Sequence, residues 1–479
     1  MLKRKDMATK YRDIFSKAVS IYVSLLCSYC IIGWVAVFNL QQIVYTVVST
    51  AFALAGIVLV LLEVLIFHNL KKIPHNAWLI LFLVAIAVSA VATYSYGVFS
   101  NLKTLAWCAI QVFIMVPMVV ACNGRDLKRA FKIFFVFTFT LWSVVSLVSL
   151  LMYIVQLGFS FEDATGKIQR QGYIDGRLFG AFIDPNYASC ASLCLVMAAT
   201  YYLKKTDLKS AVRKWILFGC ALNLIYFILA ESRTGYVALA AILLSWIIFR
   251  LRSNPEKRID CLSALRAIGY SSVVVAIIVG LTITAHLYSE VIQENDFYGM
   301  NAVTEEYGLN ISHRTDAGSE NISNNRFDIW SDYVYVMKDH YLTGLSPRNY
   351  DQIVLEQYPD LYISNRNEDS IYGIHNGYLS VYVYTGVLGV IAMAVIAAVC
   401  LYSVTRILLR RSTKEEMLIA LLIFLVISVK AITHTTPFFS YSAEANFFWI
   451  MIGVLLYSVS NQIKMHNGGY VDGSKTNHE

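Results

Sequence analysis

Long apolar runs recur along the whole 479-residue chain, and each is about the length that crosses a lipid bilayer. A segment inside a bilayer must satisfy its own backbone hydrogen bonds, so each run is expected to be a helix. Charged residues make up only 15% of the chain, whereas soluble domains typically contain about 25%. The sequence therefore predicts an all-α polytopic membrane protein, and it excludes a soluble enzyme, a nucleic-acid binder and a disordered scaffold. Twelve runs are predicted as transmembrane helices: 18–38, 44–67, 77–95, 104–122, 133–156, 184–203, 215–230, 236–250, 268–287, 376–403, 417–434 and 446–462.

Lysine and arginine residues concentrate in alternate connections between the predicted helices. Of the 39 basic residues, 28 fall on the side that carries both termini. Cytoplasmic loops of membrane proteins carry such an excess of positive charge, so both termini are expected in the cytoplasm. The net charge of +7 then reflects membrane topology and not an affinity for nucleic acid or other acidic partners.

The chain divides into four predicted parts, of which two are membrane-embedded. Helices 1–9 occupy residues 1–287, an extracytoplasmic region with short helices occupies 288–374, helices 10–12 occupy 375–462, and a cytoplasmic tail occupies 463–479. The extracytoplasmic region carries fifteen acidic residues against five basic ones. Long connections of this kind are usually functional or disordered. This region and a shorter outer loop near 157–183 are the expected lids of an outward-facing site.

One segment of the large outer region has the pattern of an amphipathic helix. Ser323 is a suitable N-cap residue, and apolar residues follow it at spacings of three and four. The apolar positions are Phe327, Trp330, Val334 and Met337, with Tyr333 flanking them. The predicted apolar face would lie on the membrane surface or over a cavity.

Three polar clusters stand at the predicted outer edge of the membrane. A charge costs about 2.5–3.5 kcal/mol at the centre of a membrane helix on insertion scales, so charges this close to the bilayer indicate a function. They are Gly176-Arg177-Leu178-Phe179-Gly180 with Asp184-Pro185-Asn186, then Glu231-Ser232-Arg233-Thr234-Gly235, and then His375-Asn376-Gly377-Tyr378-Leu379 followed by Gly386 and Gly389. Structural alternatives exist: Arg177 can extend to a lipid headgroup, Asp184-Pro185 can begin a helix, and His375 can be an interfacial residue. Arg233 lies in a very short outer turn, where the positive-inside rule disfavours it. Arginine suits phosphate oxygens and histidine exchanges a proton near neutral pH, so together they indicate a phosphate-bearing substrate and a proton transfer.

These clusters resemble the O-antigen ligase and O-antigen polymerase superfamily of bacterial envelope glycosyltransferases. The resemblance rests on the Ser232-Arg233-Thr234-Gly235 and His375-Asn376-Gly377-Tyr378-Leu379 motifs, and on Arg326 and Trp330 with the turn Gly344-Leu345-Ser346. The family more often has a second glycine where this chain has Ser346. The resemblance implies a GT-C-like fold with the large loop region between helices 9 and 10, in the bacterial cytoplasmic (inner) membrane with the active site outside.

The same resemblance implies the substrate and the site residues. The donor would be a glycan on undecaprenyl diphosphate, delivered by a flippase, and a chain-length regulator is a further expected partner. His375 would be the catalytic base, and Arg177, Arg233 and Arg326 would bind the diphosphate. Supporting positions are Asn376, Tyr378, Asn186 and Glu231. The outer segments contain no Asp-x-Asp motif, and arginines can replace a metal at a diphosphate, so the predicted reaction is metal-independent, needs no cofactor and inverts the anomeric carbon.

Polymerase and ligase share this architecture and differ in the acceptor. A polymerase uses another lipid-linked repeat unit, and a ligase uses lipid A core or another wall acceptor. We favour the polymerase because it needs no outer-membrane acceptor. A polysaccharide flippase or transporter is the alternative from another class, and its charged sites would lie at mid-membrane. The deepest charges, Lys430 and Glu63, are expected to pair with each other as structural partners.

Overall fold

A computed structural model of the chain describes residues 2–39, 42–97, 99–162, 168–174, 176–205, 208–251, 261–295, 325–365, 370–410 and 415–468. The helices before the shorter outer loop are α1 (Leu2–Ile32), α2 (Ala36–Asn39), α3 (Gln42–Leu62), α4 (Asn76–Ala92), α5 (Phe99–Ile110), α6 (Met118–Ala121) and α7 (Gly124–Ile154). The later helices are α8 (Pro185–Lys205), α9 (Ser210–Leu229), α10 (Arg233–Leu251), α11 (Cys261–Glu294), α12 (Arg326–His340), α13 (Tyr350–Gln357), α14 (Gly377–Leu409), α15 (Glu415–Lys430) and α16 (Ala443–Gly468).

Each of the twelve predicted apolar runs coincides with a helix. Seven helical segments are long and apolar enough to cross a membrane by length and composition: Thr9–Ile32, Thr46–Phe67, Gly124–Ile154, Ser210–Leu229, Arg233–Leu251, Cys261–Glu294 and Gly377–Leu409. Three shorter apolar helices are Asn76–Ala92, Asn101–Met115 and Ala443–Ser458. The chain is therefore a helical, polytopic membrane protein, while the count of twelve crossings and the side of each loop remain predictions.

The shorter outer loop contains a small antiparallel sheet that the all-α prediction did not include. Strand β2 (Ile168–Ile174) lies between β1 (Gly158–Glu162) and β3 (Arg177–Gly180). Strand β3 packs against α7, and the Ala181 N–H donates to the Ser149 hydroxyl on that helix at 3.0 Å. Arg177 is the first residue of β3. The sheet thereby fixes the position of Arg177 at the ends of the membrane helices.

Helix α12 buries the face formed by Ile329, Tyr333, Val336 and Met337. Of the predicted apolar stripe, Met337 is buried, whereas Phe327 is 68% exposed and Val334 is 51% exposed. A stripe that lies on the membrane surface would have such exposed apolar side chains, so this role of the stripe stays a prediction. The buried face packs on α14 and α13, which present Val383 and Ile353 to it. The predicted cap residue Ser323 lies outside the described residues.

Helix α14 is broken at Gly386, where φ is 60° and ψ is −162°. This backbone conformation is essentially restricted to glycine. The broken turn is hydrogen-bonded to the segment that follows α12, because the Val387 N–H donates to the Tyr341 carbonyl at 2.8 Å. A Cβ at position 386 would also collide with the backbone of Leu342 and Thr343. The close approach of the two segments therefore depends on glycine here.

The Gly344-Leu345-Ser346 turn lies directly against this break. The Leu345 N–H donates to Val383 O at 2.8 Å, and the Ser346 N–H donates to Tyr384 O at 3.2 Å. Both Gly344 and Ser346 have positive φ values, 74° and 59°. Ser346 thus adopts the left-handed backbone that explains why a glycine is common at this position in the family.

Replacing Gly386 with alanine is expected to destabilise the outer half of α14. The strained backbone alone costs about 1–3 kcal/mol, and the collision with the Leu342 backbone adds to it. We expect a lower midpoint of thermal unfolding for the purified protein in detergent and a loss of glycan transfer in cells. Gly280→Ala is the matched control, because Gly280 lies within α11 and a Cβ added there would meet nothing within 4 Å. An unchanged midpoint for Gly386→Ala would contradict the role of the break.

Candidate functional site

Two of the predicted motifs begin helices in the same way. Glu231 precedes the start of α10 with a φ of 45°, and His375 precedes the start of α14 with a φ of 47°. In each motif the next residue caps the helix: the Ser232 hydroxyl accepts from the Gly235 N–H at 3.1 Å, and the Asn376 side chain accepts from the Tyr378 and Leu379 N–H groups at 3.0 Å. Left-handed residues other than glycine are uncommon and cluster at functional sites.

Arg177 is held at the junction of β3, α8 and α9. Its Nε donates to Ala230 O at 3.2 Å, and its Nη2 donates to Asn186 Oδ1 at 3.0 Å. Ser232 Oγ donates to the same Asn186 oxygen at 3.0 Å. Asn186 therefore joins the first two motifs, because it contacts both Arg177 and Ser232. The contacts orient the Arg177 guanidinium, whose binding of a diphosphate remains a prediction.

Asp184 begins helix α8 and also contacts the segment that follows α15. Its Oδ1 accepts from the Asn186 N–H at 2.7 Å, so the helix-start role predicted for Asp184 is confirmed. Its Oδ2 lies 3.5 Å from His434 Nε2. Burial opposes ionisation of Asp184, but His434 and Lys430 outweigh it and lower the pKa of this carboxyl below its ordinary value. Asp184 is therefore an anion at neutral pH.

The charges of Asp184 and Arg233 both act on the Arg326 guanidinium. Burial lowers the pKa of Arg326 from its ordinary value, the positive charge of Arg233 lowers it further, and the negative charge of Asp184 opposes both. Arg326 is the first residue of α12, and Arg233 is the first residue of α10. The Arg177 guanidinium is held at the start of α8, close to Asp184 in the chain. Arginine is the residue type that suits the oxygens of a phosphate.

His375 is exposed and is positioned by contacts of its chain neighbours. Trp330 Nε1 on α12 donates to Ile374 O at 2.9 Å, and the Gly377 N–H donates to Ala431 O at 2.7 Å. The imidazole lies beside Gly373, where an added Cβ would stand 3.7 Å from the imidazole Nε2. His375 is thus fixed between the helix that carries Arg326 and the segment that carries His434.

The two remaining supporting residues contact groups outside the arginine cluster. The Tyr378 hydroxyl donates to Ser428 O at 2.9 Å, which fastens α14 to α15. A carboxylate oxygen of Glu231 lies 2.5 Å from His286 Nε2 on α11. Both contacts hold helices together. We therefore expect Tyr378 and Glu231 to support the site by keeping these helices in position.

A buried ion pair lies below Asp184. Lys430 Nζ donates to both carboxylate oxygens of Glu444, at 2.8 and 2.7 Å, and it lies 3.6 Å from the centre of the Tyr187 ring. Glu63 instead accepts from Asn69 Nδ2 and the Leu70 N–H. The expected pairing of Lys430 with Glu63 is therefore wrong. Lys430 and Glu63 each contact a polar group that is nearer in the sequence, and this contact compensates the buried charge.

An apolar cavity of about 450 Å³ is lined in part by this ion pair. Its polar lining residues also include Tyr187, Tyr201 and Glu416. The rest of its wall is mostly hydrophobic, which is typical of a site for an apolar group.

The sequence interpretation missed His434 and Thr433. Thr433 Oγ1 lies 2.8 Å from Thr234 Oγ1 and 3.0 Å from His434 Nδ1, so it joins α10 to the His434–Asp184 pair. The predicted span 417–434 placed both residues inside the membrane, whereas α15 ends at Lys430. The polar run Thr433-His434-Thr435-Thr436 before Pro437 was the available signal for an earlier helix end.

The structure is that of a polytopic membrane protein in which Arg233, Arg326 and the exposed His375 lie at the starts of helices. Residues 218–394 match the family model described as O-antigen ligase. The resemblance to the O-antigen ligase and polymerase superfamily is confirmed over this segment. The matched segment includes Arg233, Arg326 and His375. No curated protein matches the chain as a significant relative.

Proposed function

We propose that the protein is a polymerase of undecaprenyl-diphosphate-linked oligosaccharide repeat units, which builds an O-antigen, capsule or exopolysaccharide. One observation carries the proposal: Arg233, Arg326 and His375 begin or directly precede helices within the segment that matches the O-antigen ligase family, and the charges of Arg233 and Asp184 both act on Arg326. The lipid diphosphate of the donor is the anion that this positive cluster would bind. The enzyme would work on the outer face of the bacterial cytoplasmic membrane, with both termini inside.

The proposed reaction is an inverting glycosyl transfer. The hydroxyl oxygen of the acceptor forms a bond to the anomeric carbon of the donor sugar, and the bond from that carbon to the diphosphate oxygen breaks. The hydroxyl proton passes to the His375 imidazole, and the electron pair leaves with the lipid diphosphate. Arg177, Arg233 and Arg326 would stabilise the charge that develops on the leaving group, where fixed guanidinium groups are most effective.

The arginines make a metal ion unnecessary for this chemistry. We expect the rate of transfer by the purified enzyme to be unchanged when EDTA is added in excess over divalent cations. The measurement is the conversion of lipid-linked repeat unit to longer product at a fixed enzyme concentration. A rate that falls with EDTA and recovers with added Mg²⁺ would contradict the metal-independent mechanism.

An O-antigen ligase is the second candidate, because the matching family model carries that description. It would perform the same bond exchange with lipid A core or another wall acceptor. A flippase is the candidate from another class. The sequence feature that favoured it was the presence of two charged residues deep in the predicted membrane helices. Lys430 and Glu63 each have a local partner, so they do not form a path across the membrane.

Deleting the gene in its host and separating the surface glycans by electrophoresis tests the proposal. A polymerase defect leaves a single repeat unit on the normal anchor. A ligase defect leaves long chains on undecaprenyl diphosphate and a bare acceptor. Unchanged glycans in a host without a second copy of the gene would overturn both assignments. Restoring the gene on a plasmid is the control for effects on neighbouring genes.

A further inference from the structure

Two stacked tyrosine rings lie on the outer surface close to His375. The rings of Tyr362 and Tyr372 have their centroids 5.3 Å apart and an interplanar angle of 13°. Tyr362 is 46% exposed and Tyr372 is 43% exposed. We call Tyr362 and Tyr372 the tyrosine pair. Their stacked rings present an aromatic surface with polar hydroxyl groups, which suits a ligand that has both apolar and polar faces.

The tyrosine pair is attached to the helix that carries Arg326. The Asn325 amide donates to the Tyr362 hydroxyl at 2.8 Å, and Asn325 directly precedes Arg326. The backbone below Tyr372 is also fixed, because the Tyr333 hydroxyl donates to Tyr372 O at 2.8 Å. The rings therefore have a defined position relative to the proposed diphosphate site.

One member of the tyrosine pair, Tyr372, precedes His375 by three residues. Strands β4 (Ser364–Asn365) and β5 (Ser370–Ile371) pair antiparallel, with Ser364 opposite Ile371. The pairing continues past the strands, since the Tyr372 N–H donates to Ile363 O at 2.9 Å. Tyr372 is followed by Gly373, and the His375 imidazole lies beside Gly373. The tyrosine pair is therefore joined both to the residue that precedes Arg326 and to the segment that leads to His375.

From this placement we propose that the tyrosine pair is the subsite for a sugar ring of the acceptor glycan. The inference rests on the proposed glycosyl transfer, because the base must contact the acceptor hydroxyl. A pyranose has a flat face of C–H groups, which packs on an aromatic ring, and a rim of hydroxyl groups. The exposed carboxylate of Asp328, one helical turn after Asn325, can accept a hydrogen bond from such a hydroxyl.

Binding of a soluble oligosaccharide to the purified full-length protein in detergent tests the subsite. The probe is the repeat-unit oligosaccharide of the host, released from its lipid by mild acid, and the measurement is isothermal titration calorimetry. Tyr362→Ala and Tyr372→Ala should each weaken binding at least tenfold. Tyr362→Phe and Tyr372→Phe keep the rings and should remain within threefold of wild type. The initial rate at a limiting acceptor concentration should fall in parallel with affinity.

Tyr335→Ala is the matched control, because Tyr335 is 52% exposed on the same α12 and contacts Lys338 instead of the tyrosine pair. Tyr335→Ala should bind the oligosaccharide with wild-type affinity. The thermal unfolding midpoints of all the variants should match that of the wild type. Unchanged affinity in both alanine variants overturns the subsite, and so does an equal loss in Tyr335→Ala. The gene deletion separates the two proposals: if the deletion gives the ligase pattern, with long chains on undecaprenyl diphosphate, while binding still requires both rings, the subsite stands and the polymerase assignment fails.

Discussion

His375→Asn should reduce glycan transfer by roughly 10²–10⁴-fold while the protein still inserts and folds, because general-base catalysis contributes about that factor. Asparagine is a better test of the base than alanine. His375 has a φ of 47°, and asparagine tolerates this left-handed backbone. The substitution therefore removes the base and leaves the start of α14 intact. The measurement is the initial rate with purified lipid-linked repeat unit, together with glycan chain length in the complemented deletion strain.

His75→Asn is the matched control for this prediction. His75 is also exposed, also has a positive φ of 60°, and also precedes a helix, α4, but it lies away from the arginine cluster in a predicted cytoplasmic connection. Its variant should transfer glycans at the wild-type rate. Polymerisation by His375→Asn at the wild-type rate would show that another group takes the proton, and His434 would be the next residue to test.

Arg233→Lys should fail nearly as badly as Arg233→Ala, with a loss of roughly 10²-fold or more in transfer rate. Removing one fixed donor from a developing anion costs about this factor in enzymes that stabilise oxyanions. Lysine keeps the charge but is a compact ammonium without the planar fork that contacts two phosphate oxygens together. The measurement is again the initial rate with lipid-linked substrate, normalised to the amount of folded protein.

Arg250→Lys provides the comparison, because Arg250 lies near the other end of α10 with its guanidinium carbon 5.6 Å from the Trp246 ring. We expect wild-type activity for this variant. If Arg233→Lys retains most of the activity that Arg233→Ala loses, then Arg233 acts as a point charge and the bidentate contact is excluded.

The membrane helices were predictable because their signal is local. A run of about twenty apolar residues has few alternatives to a helix, and each predicted run contains one. The strands β1 to β3 were missed because each is short and their pairing depends on contacts between them. The sequence did not show which residues of α12 pack on the protein, because the helix carries two overlapping apolar stripes and packing on α14 buries the one with Ile329 and Val336.

The candidate site was predictable where its residues lie in short motifs. Arg233 and His375 stand out because their types are unusual at a membrane edge, and the comparison with a family places both in one domain. His434 could not be found in this way, since its relation to Asp184 arises only when α15 and α8 pack together. The exposure of Tyr362 and Tyr372 is likewise a property of the folded outer region.

The buried contact between Lys430 and Glu444 has a consequence for the energy balance of the cell. The proposed reaction would release a proton at the outer face of a membrane that maintains a proton gradient, and a charged path inward would dissipate that gradient. The Lys430 ammonium donates to both Glu444 carboxylate oxygens, and the Tyr187 ring covers the ammonium at 3.6 Å. The two charges thus satisfy each other. On the proposed function, we therefore expect this pair to act as a barrier to protons between the site and the cavity that the pair lines.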